Sequence, residues 1–130
     1  MKDLCPSGWP RPKGYSNAMA ARGRIVMTAG VVGWNENEEF VEKTLAGQFA
    51  QTLRNIVAIL ECDGASPRNI ARLTCYVTSI DDYLASAKEI GAAWREIMGK
   101  HYPAMALIEV VRLVEREAKV EIEATAVVPE

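Results

Sequence analysis

The chain lacks most of what metal, nucleophile and export chemistries require. Its 130 residues contain one histidine, His101. No multi-histidine zinc site, HExxH helix or two-histidine iron site can be built within one chain. A Ser-His-Asp triad would need His101 itself, which stands between Lys100 and Tyr102-Pro103 and reads as an exposed loop residue. The three cysteines, Cys5, Cys62 and Cys75, show no CxxC spacing. An odd count without an export signal reads as free thiols in a reducing cytosol. Cys62 and Cys75 lie in apolar runs and read as small buried hydrophobes. Met1–Pro6 lacks the apolar core of a signal peptide, and no apolar run approaches the roughly 18–20 residues of a membrane span. A cytoplasmic location and no membrane partner are expected. Basic charge is also scarce. There are 15 Lys and Arg against 17 Asp and Glu, a net charge of −2. Beyond the loose set Arg11, Lys13, Arg22 and Arg24 there is no basic stripe, so nucleic acid is not an expected partner.

What is present suits one ordinary domain over residues 1–130. Apolar residues make up 49% and charged residues 25%, as in globular proteins generally. A folded monomer of 14.3 kDa should expose about 6,800 Å², burying roughly two-thirds of its extended surface. Residues 1–14 carry Pro6, Pro10 and Pro12 with Gly8 and Gly14 and predict an extended arm. Tyr15–Ala21 and Arg24–Val31 flank Arg22-Gly23 and predict a β-hairpin. Gly30 and Gly33 mark a bulge or a close backbone approach at its end. Residues 44–62 show the clearest helical period, through Leu45, Phe49, Leu53, Ile56 and Leu60, and Gly64 stops it. Ser66-Pro67 predicts a short turn and Ile70–Thr78 a strand. Ser79 caps a helix over Ile80–Met98, with Tyr83, Ala87, Ile90 and Trp94 on one face, ended by Gly99. Ala104–Val111 and Ala118–Val128 predict two final strands.

The expected fold class is therefore α+β, a two-layer β-β-α-β-α-β-β sandwich. One sheet face then has no helix to cover it. Met105, Leu107 and Val127 are assigned to that face. An apolar, helix-free face implies burial against another subunit.

The run Tyr102-Pro103-Ala104-Met105-Ala106-Leu107-Ile108-Glu109-Val110, with Leu113 and Val120-Glu121-Ile122-Glu123-Ala124, resembles the signature of the reactive intermediate deaminase (Rid) family, also known as YjgF-like or endoribonuclease L-PSP. Tyr15 after a glycine, Gly30, the helix residues Gln48, Gln51, Leu53 and Asn55, and the strand residues Thr74 and Val77 also match. The resemblance spans residues 14–128. It implies a chorismate-mutase-like fold and a homotrimer packed around a central barrel, with small-molecule clefts between subunits. It further implies cofactor-free and metal-free hydrolysis of enamines or imines to a keto acid and ammonia.

Such a site must clamp a substrate, orient a water and manage a proton. The family pattern places an arginine, suited to a bidentate carboxylate contact, where this chain has Met105. Leu107 stands where cysteine or a small residue is usual. By strand alternation both point into one cleft. Glu121 matches the acid that positions water. Tyr15 joins it as a candidate catalytic residue, and Gly30, Val31, Met105 and Leu107 are candidate binding residues. Each also has a structural reading: Met105 and Leu107 as core, Glu121 as a solvated or interface carboxylate, Tyr15 as a packing residue. The expected function is deamination of an enamine or imine other than the usual 2-imino acids. The alternatives are a non-catalytic ligand-binding trimer and, against the acidic charge and single histidine, a ribonuclease or translation inhibitor.

Overall fold

The structure, a computed structural model, describes all of residues 1–130. The strongest apolar period folds as helix α1, Leu45–Glu61. The Thr44 side chain caps it, accepting a hydrogen bond from the Gly47 amide at 3.0 Å. That uses one of the free donors of the first turn. Phe49, Leu53, Ile56 and Leu60 are all within 1% of full burial, each contributing about 1.5–3 kcal/mol. At the other end Gly64 adopts φ 75° and the Ala65 amide reaches back to the Leu60 carbonyl, closing the helix. Ser66 then leads into a single 3-10 turn, Pro67–Asn69.

Seven strands follow the chain: β1 Lys2–Leu4, β2 Ala18–Ala20, β3 Arg24–Met27, β4 Val31–Val32, β5 Ile70–Val77, β6 Ala104–Glu109 and β7 Val120–Val128. Helices α2, Ile80–Ala85, and α3, Ala87–Met98, connect β5 to β6. Ser79 caps α2 as anticipated, accepting from the Asp82 amide at 3.0 Å. The expected single helix over this stretch is two, joined at Ser86. Five strands form one sheet in the order β3-β7-β5-β6, with β4 also paired to β7. β5 and β6 run parallel, and every other pair is antiparallel.

The core lies on one side of this sheet. Leu73, Cys75 and Val77 of β5 and Val120, Ile122, Ala124 and Ala126 of β7 pack there against α1 and against Ile90, Trp94 and Met98 of α3. On the opposite side β7 presents Glu121 and Glu123, and β5 presents Tyr76, whose hydroxyl donates to Glu123. This alternation is the period-two rule of a strand.

Several expectations are corrected. The sheet is mixed and open. Its edges, β3 with β4 on one side and β6 on the other, do not meet, so no central barrel closes. The homotrimer drawn around such a barrel is withdrawn with it. The β-β-α-β-α-β-β order of a two-layer α+β sandwich gives way to a mixed α/β arrangement with an additional ribbon. The predicted hairpin does not form: β2 pairs with β1, and β3 pairs with β7. The reason is long-range. Gly23 lies directly against the Val128 carbonyl, so the chain there is committed to β7 rather than to a local turn. The arm is not wholly irregular, since Lys2–Leu4 pairs with Ala18–Ala20. Met105 and Leu107 leave the helix-free face. Their register partners are Leu73 and Cys75, so both side chains face the core, while Val127 stays on the open side opposite Ile25. Cys75 is buried, but Cys62 is exposed at the end of α1. His101 is half-buried, its Nε2 bonded to the Ile70 carbonyl at 2.6 Å. Because a carbonyl only accepts, Nε2 carries the proton.

The glycines before α1 act as close-approach residues. A β-carbon on Gly33 would stand 2.5 Å from the Gln48 carbonyl oxygen and 2.9 Å from its Cα. Both atoms belong to the α1 backbone and cannot rotate away. Gly33→Ala should therefore destabilise the fold by about 1–3 kcal/mol, read as a lowered midpoint in urea unfolding with an unchanged slope.

Candidate functional site

The candidate residues fall into separate places, each set by its strand. The first contains Gly30, Val31 and Glu121. Thr28 opposes Ala124 through its amide and its Oγ1, and pairing resumes at Val31↔Ile122. Ala29 and Gly30 thus stand against Glu123 alone, a bulge of one extra residue. The bulge brings Gly30 under the Glu121 carboxylate. A β-carbon there would overlap Oε2 of Glu121. Absence of a side chain at residue 30 is thus what lets the carboxylate lie over the backbone. Glu121 makes no ion pair with any of the four cations that form one.

Polar residues on α1 lock this corner. Asn55 Nδ2 donates to the carbonyls of Val32 at 3.0 Å and Trp34 at 2.7 Å. Gln51 Nε2 donates to Asn55 Oδ1 at 2.8 Å. Gln48, 1% exposed, donates to the carbonyls of Glu42 and Glu117 and accepts from the Lys119 amide at 2.7 Å. Every polar atom of the buried amide is used, which offsets its desolvation. The strand holding Val31 and the lead-in to the strand holding Glu121 are both tied to one helix.

Beside Glu121, the Tyr76 hydroxyl donates to Glu123 Oε1 at 2.9 Å. That bond, some burial, and the charges of Glu123 and then Glu121 push the phenol above its ordinary pKa of 10. Losing the proton would break the bond and set an anion beside two carboxylates.

Tyr15 lies elsewhere. Ser16 pins its segment to the start of β6, its amide donating to the Pro103 carbonyl at 3.1 Å and its hydroxyl to that of Tyr102. Tyr15 is exposed and lines a 620 Å³ cavity between the arm and the sheet end. Arg22, Arg68 and Lys100 share that lining with an Arg11–Asp3 ion pair.

Met105 lines a third place, a 280 Å³ pocket under α3. Its walls include Phe49, Tyr83, Trp94 and Tyr102. The Trp94 and Tyr102 rings are parallel within 3° with centroids 6.0 Å apart, and Phe49 and Tyr83 tilt together at 6.1 Å. Trp94 Nε1 donates to the His101 carbonyl at 3.1 Å, fixing the indole. Burial and the neighbouring Cys75 raise the Tyr83 phenol above 10, so it is neutral at ordinary pH. Cys75 itself is pushed up to about 12 by burial, and its thiol stays protonated. Leu107 partners Cys75 and packs against the core without lining this pocket. Met105 and Leu107 therefore share a face but not a cleft.

Within one chain, then, the structure joins Gly30, Val31 and Glu121, and keeps them on the opposite sheet face from Met105. Sequence reading missed the aromatic pocket, because Tyr83 and Trp94 at helical spacing look like ordinary core. No three His, Cys, Asp or Glu side chains converge where a metal ion would sit. No helix is long and apolar enough to cross a membrane.

Comparison with known proteins adds independent findings. The family model described as Endoribonuclease L-PSP matches residues 10–128. A RutC family protein of Pyrococcus horikoshii is 35% identical over 119 residues, covering 90% of both chains. The 2-iminobutanoate/2-iminopropanoate deaminase of Escherichia coli is 31% identical over 108 residues, 81% of this chain and 80% of that one. Among solved structures, the Rid-family protein YyfB of Yersinia pestis superposes with a TM-score of 0.82 at 34% identity, covering 98% of each chain.

The Tyr76–Glu123 bond gives a direct reading of this face. Glu123→Gln should lower the Tyr76 pKa toward 10, and Glu121→Gln should lower it less. The order follows from a direct bond against a charge alone. A phenol held above its unfolded value stabilises the fold fully below about pH 10, and that contribution is lost as pH rises through the folded pKa. Site-resolved NMR titration of the tyrosine ring carbons measures both shifts.

Proposed function

Because the chain belongs to the endoribonuclease L-PSP family, the Rid or YjgF-like proteins, we propose that it hydrolyses an enamine or imine metabolite to a carbonyl compound and ammonia. The observation that carries the reading is the Glu121 carboxylate held over Gly30 on a bulge, free of any cation. The likeness to the 2-iminobutanoate/2-iminopropanoate deaminase supports the reaction class.

In this reading Glu121 orients a water and takes its proton as the oxygen adds to the C=N carbon. The imine nitrogen gains a proton, giving a carbinolamine. The amine nitrogen then takes a further proton from the protonated Glu121, and the C–N bond breaks to release ammonia as the C=O bond forms. The hydroxyl proton is lost to solvent, which balances the proton that the imine nitrogen first drew from solvent. The sum is one imine and one water to one carbonyl and one ammonia. Tyr15 donates a hydrogen bond to the substrate, and the backbone around Gly30 and Val31 holds the developing carbonyl end. The proposed substrate differs from the small 2-imino acids, because Met105 and Leu107 provide no cation on β6 to hold an α-carboxylate.

Glu121 and Met105 face opposite sides of the sheet. A cleft using both is therefore built between two copies of the chain, each lending one face. The accessible surface of the single chain agrees in direction. It is 8023 Å², above the roughly 6,800 Å² of a compact monomer of this mass. Ile25 and Met27, 62% and 73% exposed, lie on the helix-free side. A second reading, a ligand-binding protein without turnover, is favoured by Met105 alone.

Glu121→Gln is nearly isosteric and removes the charge. It should lower turnover by about 10²–10⁴-fold, the usual worth of a positioned acid or base, while leaving folding and assembly unchanged. Ammonia release across a panel of imines and enamines checks this. Equal turnover in Glu121→Gln assigns the residue to an interface, and binding without ammonia release selects the second reading. If one cleft draws on two copies, mixing and reassembling inactive Tyr15→Phe with inactive Glu121→Gln should restore part of the activity.

A further inference from the structure

The pocket under α3 has a built chemistry of its own. Four aromatic rings and Met105 surround 280 Å³. That is slightly below the roughly 300–1,000 Å³ of drug-sized sites, a size for one ring and a short chain rather than a fused system. Arg95 is the one charged residue in its lining. It takes part in none of the four ion pairs of the chain. The stripe Ala87, Gly91, Arg95 runs at intervals of four along α3, so all three lie on one side of the helix. Long helical side chains lean toward the N-terminus, and Arg95 does so. Its Nη1 stands 3.5 Å from where a β-carbon of Gly91 would be. The small residues at 87 and 91 leave the mouth open, and the guanidinium hangs over it. Beneath, Phe49 and Trp94 are 1% and 5% exposed and cannot readily move aside.

We propose that this pocket binds a compact aromatic carboxylate, its ring against Phe49, Tyr83, Trp94, Tyr102 and Met105 and its carboxylate on the Arg95 guanidinium. Methionine is then the fitting residue at 105, because a polarizable thioether packs against a ring where a buried cation would be costly. The assignment of this ligand as a substrate rests on the deaminase reading above. The binding site itself does not.

Three probes separate the ring from the charge: phenylpyruvate has both, pyruvate only the carboxylate, phenylacetone only the ring. Isothermal titration should show phenylpyruvate binding at least tenfold tighter than either of the others. NMR shifts should centre on the Trp94 indole and the Gly91 amide. Arg95→Gln should weaken phenylpyruvate about tenfold and leave phenylacetone unchanged, as expected for one exposed charge-assisted contact. Gly91→Leu should abolish binding of both aromatic probes by filling the mouth. It adds a side chain where only the flexible Arg95 is near, and Arg95→Gln carries the test by itself should that variant fail to fold. The proposal is overturned if phenylacetone binds as tightly as phenylpyruvate, if Arg95→Gln binds phenylpyruvate undiminished, or if the shifts centre on other residues. Ammonia release from another enamine or imine that is insensitive to Arg95→Gln, together with no phenylpyruvate binding, sinks the pocket and spares the deaminase reading. Phenylpyruvate binding with no ammonia release from any imine does the reverse.

Discussion

The parity of strand β7 governs the rest of the molecule. Val120, Ile122, Ala124 and Ala126 are each within 3% of full burial; all four pair in register with β5, and Ile122 and Ala126 pair also with β4 and β3. A slip of one residue would turn this apolar set outward and bury two glutamates. With three neighbours to satisfy, β7 has one register available. Glu121 and Glu123 are thereby committed to the side without helices. Through the parallel β5–β6 pairing, the same rule commits Met105 and Leu107 to the helix side. The locations of Glu121 and of Met105 are consequences of one alternation.

That separation bears on how the chain can dispense with an arginine on β6. Met105 opens onto a pocket roofed by α3 and walled by aromatic rings. An unpaired guanidinium rooted there would lose much of its hydration. On α3, Arg95 keeps its hydration until a ligand arrives, because the residue is exposed. Placing the cation on a helix rim rather than on the strand floor spares the empty pocket a desolvation cost. It also lengthens the distance between cation and floor, which favours a ligand with a body over a small one.

Much of the local structure was legible. The periods of α1 and β7 carry their burial in the sequence. Ser66-Pro67, Gly64, Ser79 and Gly99 announce their turns and caps through known backbone preferences. The bulge at Gly30 was also legible, as an isolated glycine in a β-favouring run. What local patterns could not show was pairing. Arg22-Gly23 looks like a hairpin turn, yet β3 finds more partners on β7, and β2 is left to the arm. Alternation on β6 was read correctly as a pattern and assigned to the wrong side. Nothing within Ala104–Glu109 states which face β5 will cover, and the parallel pairing that settles it links residues about thirty apart. The family resemblance suggested a closed barrel, whereas the sheet of this chain remains open at β6 and at β3–β4.

The candidate site shows the same division between local and long-range information. Glu121 and Gly30 were each marked in the sequence, Glu121 by the family resemblance and Gly30 by that resemblance and as a glycine in a β-favouring run. Only the fold shows that they are a unit, the glycine being bare because the carboxylate lies where its β-carbon would be. The polar residues on α1 acquire their meaning in the same way. Gln48, Gln51 and Asn55 carry amides at intervals of three and four, and a helix read by itself offers no reason for them. In the fold they hold the loop after β4 and the lead-in to β7 against a single rigid element. Glu121 and the backbone at Gly30 hang from two strands, and these contacts fix the two strands relative to each other. Side-chain amides bonded to backbone groups do that without adding charge near Glu121, whose carboxylate lies over the bare Gly30 and makes no ion pair.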